Sequence, residues 1–329
     1  MDGTPLLEIR QLKKYFPVKS SFGFGPSEEV KAVDSVELCI QGGETLGVVG
    51  ESGCGKTTLG RMILRLIEPT SGEIFFKGED IVRRDKKDLY DLRRKMQIIF
   101  QDPYSSLNPR QSAGDIIGEP LIVHNLANKR NLRNQVSGLM EVVGLSPDQY
   151  DRYPHEFSGG QRQRIGIARA LSLKPEFIVC DEPVSALDVS IKAQVLNLLV
   201  ALQKEFNLTY MLISHDLGIV KHVSDRVAVM YLGRLVELSY SRELYRSPYH
   251  PYTQALLSAS PIPDPTLKRE RIFIEGDIPS PIHPPAGCHF HTRCRFRIER
   301  CISEPPPWEE VSHSHWARCW RSREIQNIK

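Results

Sequence analysis

The stretch that decides the fold is Thr45 to Thr57, which reads TLGVVGESGCGKT. Its first five residues are a short apolar run of the kind that forms a buried strand. A glycine-rich turn follows, and the segment 56–67 after it carries apolar residues at helical spacing. These apolar residues are Leu59, Met62, Ile63 and Leu66. The sequence therefore predicts a strand, a glycine loop and a helix in that order.

The turn fits the pattern GxxxxGK[ST], a phosphate-binding loop when it joins a strand to a helix. Its glycines let backbone N–H groups converge on phosphate oxygens, and the N-terminus of the helix adds positive potential. The ammonium group of Lys56 can reach the outer phosphates, and the Thr57 hydroxyl can bind Mg²⁺. A chance match at a tight turn is the alternative. The residues predicted to hold the nucleotide are Gly50, Ser52, Gly53, Gly55, Lys56, Thr57 and Thr58.

Two carboxylates follow a second apolar run, Phe177 to Cys180 (FIVC). Asp181, at the end of this predicted strand, is placed to orient the Mg²⁺ shell directly or through water. Glu182 comes next and can polarise an attacking water as a general base. An ordinary acidic turn is the alternative, but the phosphate loop earlier in the chain favours the catalytic interpretation.

Length and composition limit the classes of protein that need to be considered. The chain has 329 residues, of which 40% are hydrophobic and 25% charged, so we expect one large domain with an appendage, or two domains. No run approaches the roughly 20 apolar residues that span a bilayer, and the first residues lack the apolar core of a signal peptide. We therefore expect a cytoplasmic protein. The net charge of +3 is too small to argue for nucleic-acid binding.

The rest of the chain alternates strands and helices before its character changes. Apolar runs at 209–213 and 227–231 resemble central parallel strands, and 191–205 is helix-like, which indicates an α/β core. Between Gln101 and Pro175 helical periodicity dominates, which predicts a helical insertion. After about Tyr245 prolines recur, and we expect an extended, loop-rich tail with little helix.

The segment Ser158-Gly159-Gly160-Gln161 identifies a family resemblance. A phosphate loop, then SGGQ, then an apolar strand ending in Asp-Glu resembles the ATP-binding-cassette (ABC) family, although Phe157 replaces the usual leucine of the signature. The resemblance implies an α/β P-loop NTPase fold. It comprises a RecA-like core, an antiparallel β subdomain, a helical subdomain and a loop-rich C-terminal extension.

The same resemblance implies roles for single residues. Gln101 matches the Q-loop glutamine that contacts Mg²⁺ and couples the site to a transmembrane partner. His215 matches the switch histidine that contacts the γ-phosphate, and Asp188 ends a D-loop. In this family two cassettes close head to tail around two ATP molecules. Ser158 and Gly160 would then bind the nucleotide of the second subunit.

An aromatic residue before the phosphate loop is expected to stack on adenine. Tyr15 occupies the place of that residue in the family, and Phe16 is its rival. The match is weak because an insertion from Pro17 to Val30 separates both from the phosphate loop.

Further segments resemble the ATP-binding subunits of bacterial oligopeptide and dipeptide importers. They are FQDP (100–103), SSLNPR (105–110), RYPH (152–155), DVS (188–190), HPYTQALL (250–257) and PSP (279–281). This resemblance implies a nucleotide-binding domain at 1–245, with its helical subdomain at about 101–175, and an extension at 246–329. It also implies a second cassette, two membrane permease subunits and an extracytoplasmic solute-binding protein, with this chain on the cytoplasmic face of the membrane.

The sequence is compatible with other functions. A related nickel-import group shares most of these features, so nickel or another small solute could replace peptides as cargo. A soluble ABC ATPase acting on DNA or RNA is a less favoured reading, since such proteins usually carry two cassettes, a coiled-coil insertion or zinc modules. A purely regulatory subunit is disfavoured because Glu182 and His215 are both present.

Four cysteines cluster near the end of the chain, at Cys288, Cys294, Cys301 and Cys319. A reduced compartment favours a metal site over disulfides, and four thiolates can hold a [4Fe–4S] cluster or zinc. Some importer cassettes that this tail resembles carry an iron–sulfur cluster there, which favours that cofactor over zinc and over free thiols. The arginines at 293, 295, 297 and 300 are interpreted as a solvated face, with balancing of cluster charge as the alternative.

Overall fold

The computed structural model of the chain describes residues 4–18, 28–128, 130–260 and 271–326. The chain divides into two compact units. The first comprises Met1–Gln41, Thr45–Arg83 and Ile213–Lys329, and the second comprises Gly42–Glu44 and Arg84–Leu212. None of the helices in these described ranges is both long and apolar enough to cross a bilayer.

The strands are numbered along the chain. They are β1 Leu7–Val18, β2 Glu28–Ile40, β3 Thr45–Val49, β4 Ser71–Phe76, β5 Glu79–Asp80, β6 Met96–Ile99, β7 Phe177–Asp181, β8 Thr209–Ile213, β9 Arg226–Tyr231, β10 Arg234–Tyr240, β11 Glu309–Ser312 and β12 His315–Ala317.

The helices are numbered in the same way. They are α1 Lys56–Ile63, α2 Lys86–Lys95, α3 Ala113–Val123, α4 Leu132–Val142, α5 Gly159–Leu171, α6 Val189–Phe206, α7 Leu217–Val223, α8 Ser241–Arg246, α9 Pro251–Ala259, α10 Glu299–Ser303 and α11 Ser322–Ile325. Short 3₁₀ turns lie at Pro147–Gln149, Pro154–Glu156 and His291–Arg293.

The first unit contains an antiparallel sheet in the order β2-β1-β4-β5 and a run of strands in the order β11-β12-β10-β9-β3. In the latter, β3 lies parallel to β9, with Leu46 opposite Arg226, and every residue of β3 is buried. A strand buried on both faces reads as a continuous apolar run, which is why TLGVV could be recognised in the sequence. Because β3 ends at Val49, it fixes where the glycine loop begins.

A two-residue hairpin joins β9 to β10 beside the glycine loop. Leu232 and Gly233 both have positive φ, 42° and 79°, as the tight turn of a twisted hairpin requires. The Gly233 N–H donates to the Cys54 carbonyl at 3.0 Å. Strand β10 then pairs with β12 on its other edge, with Glu237 opposite Ala317. The tail of the chain is thereby built into the sheet of the first unit.

The second unit carries strands in the order β8-β7-β6, together with helices α2 to α6. Strands β6 and β7 are parallel, with Met96 opposite Phe177. The described residues between Gln101 and Pro175 contain helices and turns but no strand, in line with the helical periodicity of this segment. Ser112 begins α3 with a capping box formed with Asp115.

One sequence prediction about local structure was wrong. The helix after the glycine loop ends at Ile63 rather than Ile67, because Arg65 adopts a left-handed conformation with φ 51°. Leu66, expected on the buried face, is therefore 49% exposed. Within the tail, Pro251 at the first position of α9 starts a helix instead of breaking one.

Two further predictions fall partly outside the described residues. The insertion from Pro17 to Val30 includes 19–27, and the proline-rich tail includes 261–270, and neither of these segments is described.

Candidate nucleotide site

The phosphate loop has the strand–loop–helix geometry that its motif requires. Gly50 follows β3 with φ 153°, and Gly55 precedes α1 with φ 107°. A Cβ atom on Gly55 would lie 2.1 Å from the Ala32 carbonyl oxygen, and one on Gly50 would lie 2.2 Å from the Met230 oxygen. Only glycine fits at these two positions, since both the close approach and the backbone conformation exclude a side chain.

Lys56 is buried inside the loop, with 6% of the residue exposed. Its Nζ donates to the Gly50 carbonyl at 2.8 Å and to the Glu51 carbonyl at 3.0 Å. Carbonyl oxygens satisfy the ammonium without neutralising it, so its charge stays available to an anion. A bound triphosphate can replace these carbonyls at two of the three Nζ protons.

The first turn of α1 presents backbone donors rather than a side-chain cap. Gly55 is the N-cap residue and provides no side chain, so α1 begins without a side-chain cap hydrogen bond. Ser52 and Gly53 are exposed at the crest of the loop, whereas Thr57 and Thr58 are half-buried in α1. Convergent N–H groups, a helix N-terminus and one lysine form an anion site suited to phosphates.

His215 follows β8 at the start of a short capped helix. Its neighbour Asp216 caps α7 by accepting the N–H groups of Gly218 at 2.9 Å and Ile219 at 3.2 Å. The Asp216 N–H donates in turn to the Ser214 hydroxyl at 3.0 Å. These bonds fix the backbone on both sides of His215, whose side chain is exposed.

Tyr15 and Phe16 are neighbours on β1, so their side chains point to opposite faces. The Tyr15 hydroxyl donates to Asp34 at 2.7 Å, and Asp34 also pairs with Arg234 at 2.6 Å. Burial and this hydrogen bond to Asp34 raise the pKa of Tyr15. The hydroxyl of Tyr15 is therefore tied into an ion-pair network, whereas Phe16 has no polar group to tie.

In the second unit, Asp181 is the last residue of β7, and Glu182 follows the strand. Asp181 is 3% exposed, and Glu182 has a left-handed backbone with φ 47°. Gln101 donates from Nε2 to Glu182 Oε2 at 2.9 Å, so the structure brings together two of the predicted catalytic residues. The Ser185 hydroxyl donates to the Glu182 carbonyl at 3.1 Å. A non-glycine residue in this conformation is strained, which is frequent at functional sites.

The SGGQ segment starts α5, as the sequence predicts. The Ser158 hydroxyl accepts the Gln161 N–H at 3.3 Å, and Gln161 Oε1 accepts the Ser158 N–H at 3.0 Å, which is a capping box. Ser158 is exposed while Gly160 is buried. A Cβ atom on Gly160 would lie 2.5 Å from Ile191 Cγ2, so this glycine allows α6 to approach α5. Asp188 is the exposed N-cap residue of α6.

The predicted site residues are divided between the two units. The first unit holds Tyr15, Gly50, Ser52, Gly53, Gly55, Lys56, Thr57, Thr58 and His215. The second unit holds Gln101, Ser158, Gly159, Gly160, Gln161, Asp181, Glu182 and Asp188.

The four late cysteines line one small cavity, together with aromatic residues such as Phe290 and Phe296. Burial raises the pKa of Cys288 to about 11 and that of Cys319 to about 12. All cysteines of the chain lie in described residues, and none forms a disulfide. Among the described residues, no group of three or more His, Cys, Asp and Glu is arranged to hold a metal ion. The iron–sulfur and zinc predictions therefore stay predictions.

The interpretation of the arginine run was wrong for Arg293. Its side chain is 8% exposed and forms an ion pair with Glu51 in the phosphate loop, whereas Arg295, Arg297 and Arg300 are exposed as expected. Sequence reasoning also missed Tyr252, whose hydroxyl accepts the Glu51 N–H at 2.9 Å. No periodicity or motif marks Arg293, and the importer-like segment 250–257 contains Tyr252 without indicating a contact with the phosphate loop. Both residues contact Glu51, which lies more than 200 positions earlier in the sequence, and only the folded chain brings them together.

Comparison with known proteins agrees with this geometry. The model of the ABC transporter family matches residues 33–185, and that of the oligopeptide/dipeptide transporter C-terminal region matches residues 236–301. The chain belongs to the ABC transporter family of ATP-binding proteins. It is 54% identical to the oligopeptide transport ATP-binding protein AppF of Bacillus subtilis, over 95% of this chain and 96% of AppF. It is 50% identical to the dipeptide transport ATP-binding protein DppF of Haemophilus influenzae, over 97% of both chains.

Solved structures resemble the chain over its cassette. One is the dimeric ATP-binding cassette MJ0796 in a post-hydrolysis state bound to ADP and Pi, with a TM-score of 0.64 and 28% identity, over 72% of this chain and 99% of that chain. Another is cbiO1 from Clostridium perfringens, part of an ABC transporter complex, with a TM-score of 0.64 and 27% identity, over 74% and 91%. The chain is accordingly an ABC-type ATPase with a P-loop NTPase fold.

Proposed function

We propose that this chain binds and hydrolyses ATP to power the import of di- or oligopeptides across the cytoplasmic membrane. The observation that carries the proposal is the match along nearly the whole chain to proteins of oligopeptide and dipeptide transport. The match includes the C-terminal region named for such transporters, which lies beyond the ATP-binding cassette. The cassette supports ATP hydrolysis, and the extension supports peptides as cargo.

The roles of the site residues follow from the chemistry of phosphoryl transfer. The N–H groups of the phosphate loop and the Lys56 ammonium hold the β- and γ-phosphates, and Thr57 with Asp181 binds Mg²⁺. Glu182 accepts a proton from the attacking water, and Gln101, hydrogen-bonded to its carboxylate, keeps that carboxylate oriented. His215 contacts the γ-phosphate.

A second ABC subunit completes each ATP site. The support is that Ser158 is exposed at the N-terminus of α5, where the N–H groups of a helix suit an anion that approaches from outside the chain. Such an anion is the γ-phosphate of ATP bound to the second cassette. A similar solved cassette, bound to ADP and Pi, is dimeric. Closure of two cassettes excludes water and adds donors around the γ-phosphate.

Phe16 is the better candidate for the adenine-stacking residue than Tyr15. The support is the hydrogen bond that ties the Tyr15 hydroxyl to Asp34 within the Arg234 ion pair. Phe16 lies on the opposite face of β1, and a ring without a polar group stacks on a nucleobase without losing a hydrogen bond.

Exposed apolar side chains in the second unit support docking of a membrane permease. Tyr90, Ile122 and Val123 are exposed, and the Tyr90 hydroxyl donates to the Val123 carbonyl. Tyr104, exposed in the loop that begins at Gln101, adds a second apolar contact next to a catalytic residue. Permease docking here places the chain at the cytoplasmic face of the membrane. An extracytoplasmic solute-binding protein would deliver the peptide to the permease.

The four late cysteines belong to the C-terminal extension, residues 246–329, which follows the nucleotide-binding domain at residues 1–245. The extension lies in the same compact unit as residues 213–245. Four thiols that line one cavity are a donor set suited to a [4Fe–4S] cluster, which would be held by Cys288, Cys294, Cys301 and Cys319. The cluster would cross-link the segments that carry the four cysteines.

The experiment is to purify the chain with its neighbouring permease subunits and second cassette and to reconstitute the complex in liposomes. Peptide-loaded binding protein is expected to stimulate ATP hydrolysis and peptide uptake together. The Lys56→Ala complex is expected to lose both, whereas Lys204→Ala, at an exposed position on α6, keeps both. Uptake of nickel without peptide uptake, or stimulation by nucleic acid alone, would contradict the proposal.

A further inference from the structure

The C-terminal extension contacts the phosphate loop through an ion pair between Arg293 and Glu51. Arg293 Nη1 donates to Glu51 Oε2 at 2.8 Å, and Nη2 donates to Oε1 at 3.1 Å. The side chains are 8% and 24% exposed, respectively. A two-pronged, largely desolvated arginine–carboxylate pair fixes orientation as well as distance. The Glu51 side chain therefore cannot turn without breaking both bonds.

Aromatic residues hold Arg293 in place on its inner side. Arg293 Nη1 also donates to the Tyr231 hydroxyl at 3.4 Å. The Tyr231 ring packs against Phe290 and Tyr252, with centroid distances of 5.2 Å and 4.7 Å. Burial by itself lowers the pKa of Arg293, but the hydrogen bonds to Glu51 and Tyr231 outweigh it, and the net shift is upward. The guanidinium accordingly keeps its charge beside Glu51.

Glu51 is also held through its backbone, and its backbone carbonyl binds Lys56 of the phosphate loop. Its N–H donates to the Tyr252 hydroxyl at 2.9 Å, so α9 of the extension supports the loop as well. The Glu51 carbonyl accepts from Lys56 Nζ at 3.0 Å and from the Cys54 N–H at 3.3 Å. A shift of Glu51 would move the carbonyl that positions Lys56.

The glycine-rich loop needs such external support for two physical reasons. Glycines at 50, 53 and 55 all have positive φ, and glycine loses more conformational freedom on ordering than any other residue. An outer contact that fixes the loop reduces the entropy that ATP binding would otherwise lose. In addition, an unpaired carboxylate at Glu51 would repel the triphosphate, and Arg293 neutralises it.

We propose that Arg293 is a positioning residue of the nucleotide site, which holds the phosphate loop in its ATP-binding shape through Glu51. The extension is then part of the ATP site of this chain rather than a separate attachment. The inference rests on the ATP-binding function and adds to it a residue that lies outside the ABC cassette motifs. It assigns no chemical step to Arg293.

The test measures ATP binding and turnover in full-length variants. The dissociation constant of a methylanthraniloyl-ATP probe is measured on the purified chain, and kcat and KM for ATP on the assembled transporter. Arg293→Gln is expected to raise Kd and KM about tenfold, with kcat changed by less than about threefold. Arg297→Gln, at an exposed arginine of the same segment, is the matched control and is expected to match the wild type.

Two further variants separate positioning from a general loss of stability. Glu51→Gln removes the repulsive charge, so the double variant with Arg293→Gln is expected to bind ATP at least as tightly as Arg293→Gln alone. If Arg293→Gln does not fold, Arg293→Lys, which keeps the charge but not the two-pronged bond, is expected to raise Kd about threefold to fivefold.

The possible outcomes decide the inference. A folded Arg293→Gln chain with a lower melting temperature but a Kd within twofold of the wild type would show a purely structural role and overturn the proposal. If the fold-changes in Kd caused by Arg293→Gln and by Glu51→Gln simply multiply in the double variant, the two residues act independently, and the proposal is overturned as well. ATP turnover by the wild type and by Arg297→Gln, measured in the same experiment, tests the ATPase function separately from the role of Arg293.

Discussion

Gln101 and Glu182 are joined by a hydrogen bond of 2.9 Å from the glutamine Nε2 to the glutamate Oε2. The backbone of Glu182 is left-handed, a conformation that costs a non-glycine residue about 1 kcal/mol or more. Its carbonyl accepts the Ser185 hydroxyl at 3.1 Å. One hydrogen bond to the side chain and one to the backbone thus orient the Glu182 carboxylate, as expected for the proposed general base.

Replacing Glu182 with Gln tests the base directly. The change keeps the size of the side chain but removes its proton-accepting charge, so kcat of the assembled complex is expected to fall about 100-fold or more. ATP affinity of the full chain should stay within about threefold, since the phosphate loop is untouched. Glu205→Gln, at an exposed position on α6, is the control. Retention of more than half of the turnover by Glu182→Gln would rule out the base role.

The pair Phe16→Ala and Tyr15→Phe separates adenine stacking from structural support. Phe16→Ala is expected to raise the Kd for ATP about tenfold with little change in melting temperature, because stacking is lost. Tyr15→Phe removes the hydrogen bond to Asp34 and should lower the unfolding free energy by about 1 kcal/mol, with ATP affinity unchanged. Titration of methylanthraniloyl-ATP and thermal unfolding give both quantities. The reverse pattern would assign the stacking role to Tyr15.

Acid should destabilise the first unit through its buried histidines. Burial lowers the pKa of His250 to about 3 and that of His289 to about 4, so both are neutral in the folded chain. In the unfolded chain they gain protons below a pKa of about 6.5. Their contribution to stability is therefore full above about pH 6.5 and declines as pH falls toward these folded-state values.

The measurement is the unfolding free energy of the full chain from pH 7.5 to pH 5. His250 Nδ1 accepts the Tyr252 N–H at 3.1 Å and caps α9, and Asn can replace this cap. His250→Asn is expected to make the unfolding free energy depend less steeply on pH, by the amount that corresponds to about one proton bound on unfolding. His155→Asn, at an exposed histidine, serves as the comparison. An identical slope in His250→Asn and wild type would contradict the assignment.

The proposed iron–sulfur cluster predicts the metal content of the purified protein. Protein purified without oxygen is expected to contain about four iron and four sulfide per chain. Cys294→Ser should lose most of the iron and lower the melting temperature, whereas Cys39→Ser, far from the cluster in sequence, should keep both. Iron and acid-labile sulfide assays with visible absorption provide the data. Zinc in place of iron, or no metal in freshly purified wild type, would contradict the iron–sulfur proposal.

The elements that the sequence predicts well share a local physical cause. The run TLGVV is buried on both faces, so its apolar composition alone indicates β3. Glycine is required at position 55 because its φ is positive and a Cβ atom there would lie 2.1 Å from the Ala32 carbonyl oxygen. The glycine of the motif therefore predicts the local backbone by itself. Ser158 and Gln161 cap α5 within four residues. In each case the interaction that fixes the residue lies within a few positions or within one motif.

What the sequence could not indicate depends on contacts distant along the chain. Arg293 lies in a run of arginines, and only its approach to Glu51 distinguishes it from its exposed neighbours. Leu66 has the spacing of a buried helix residue, but the chain leaves the helix at Arg65. The choice between Tyr15 and Phe16 depends on Asp34, which reaches Tyr15 from the neighbouring strand.

The pairing of β10 with β12 makes the tail hard to remove. Without the hairpin Glu309–Ala317, β10 would present its backbone N–H and C=O groups as a bare edge, which invites pairing with another molecule. Glu237, fully buried in β10, would also lose the His315 Nε2 partner at 2.7 Å. A form of this protein shortened before residue 309 is therefore expected to self-associate through the exposed edge of β10.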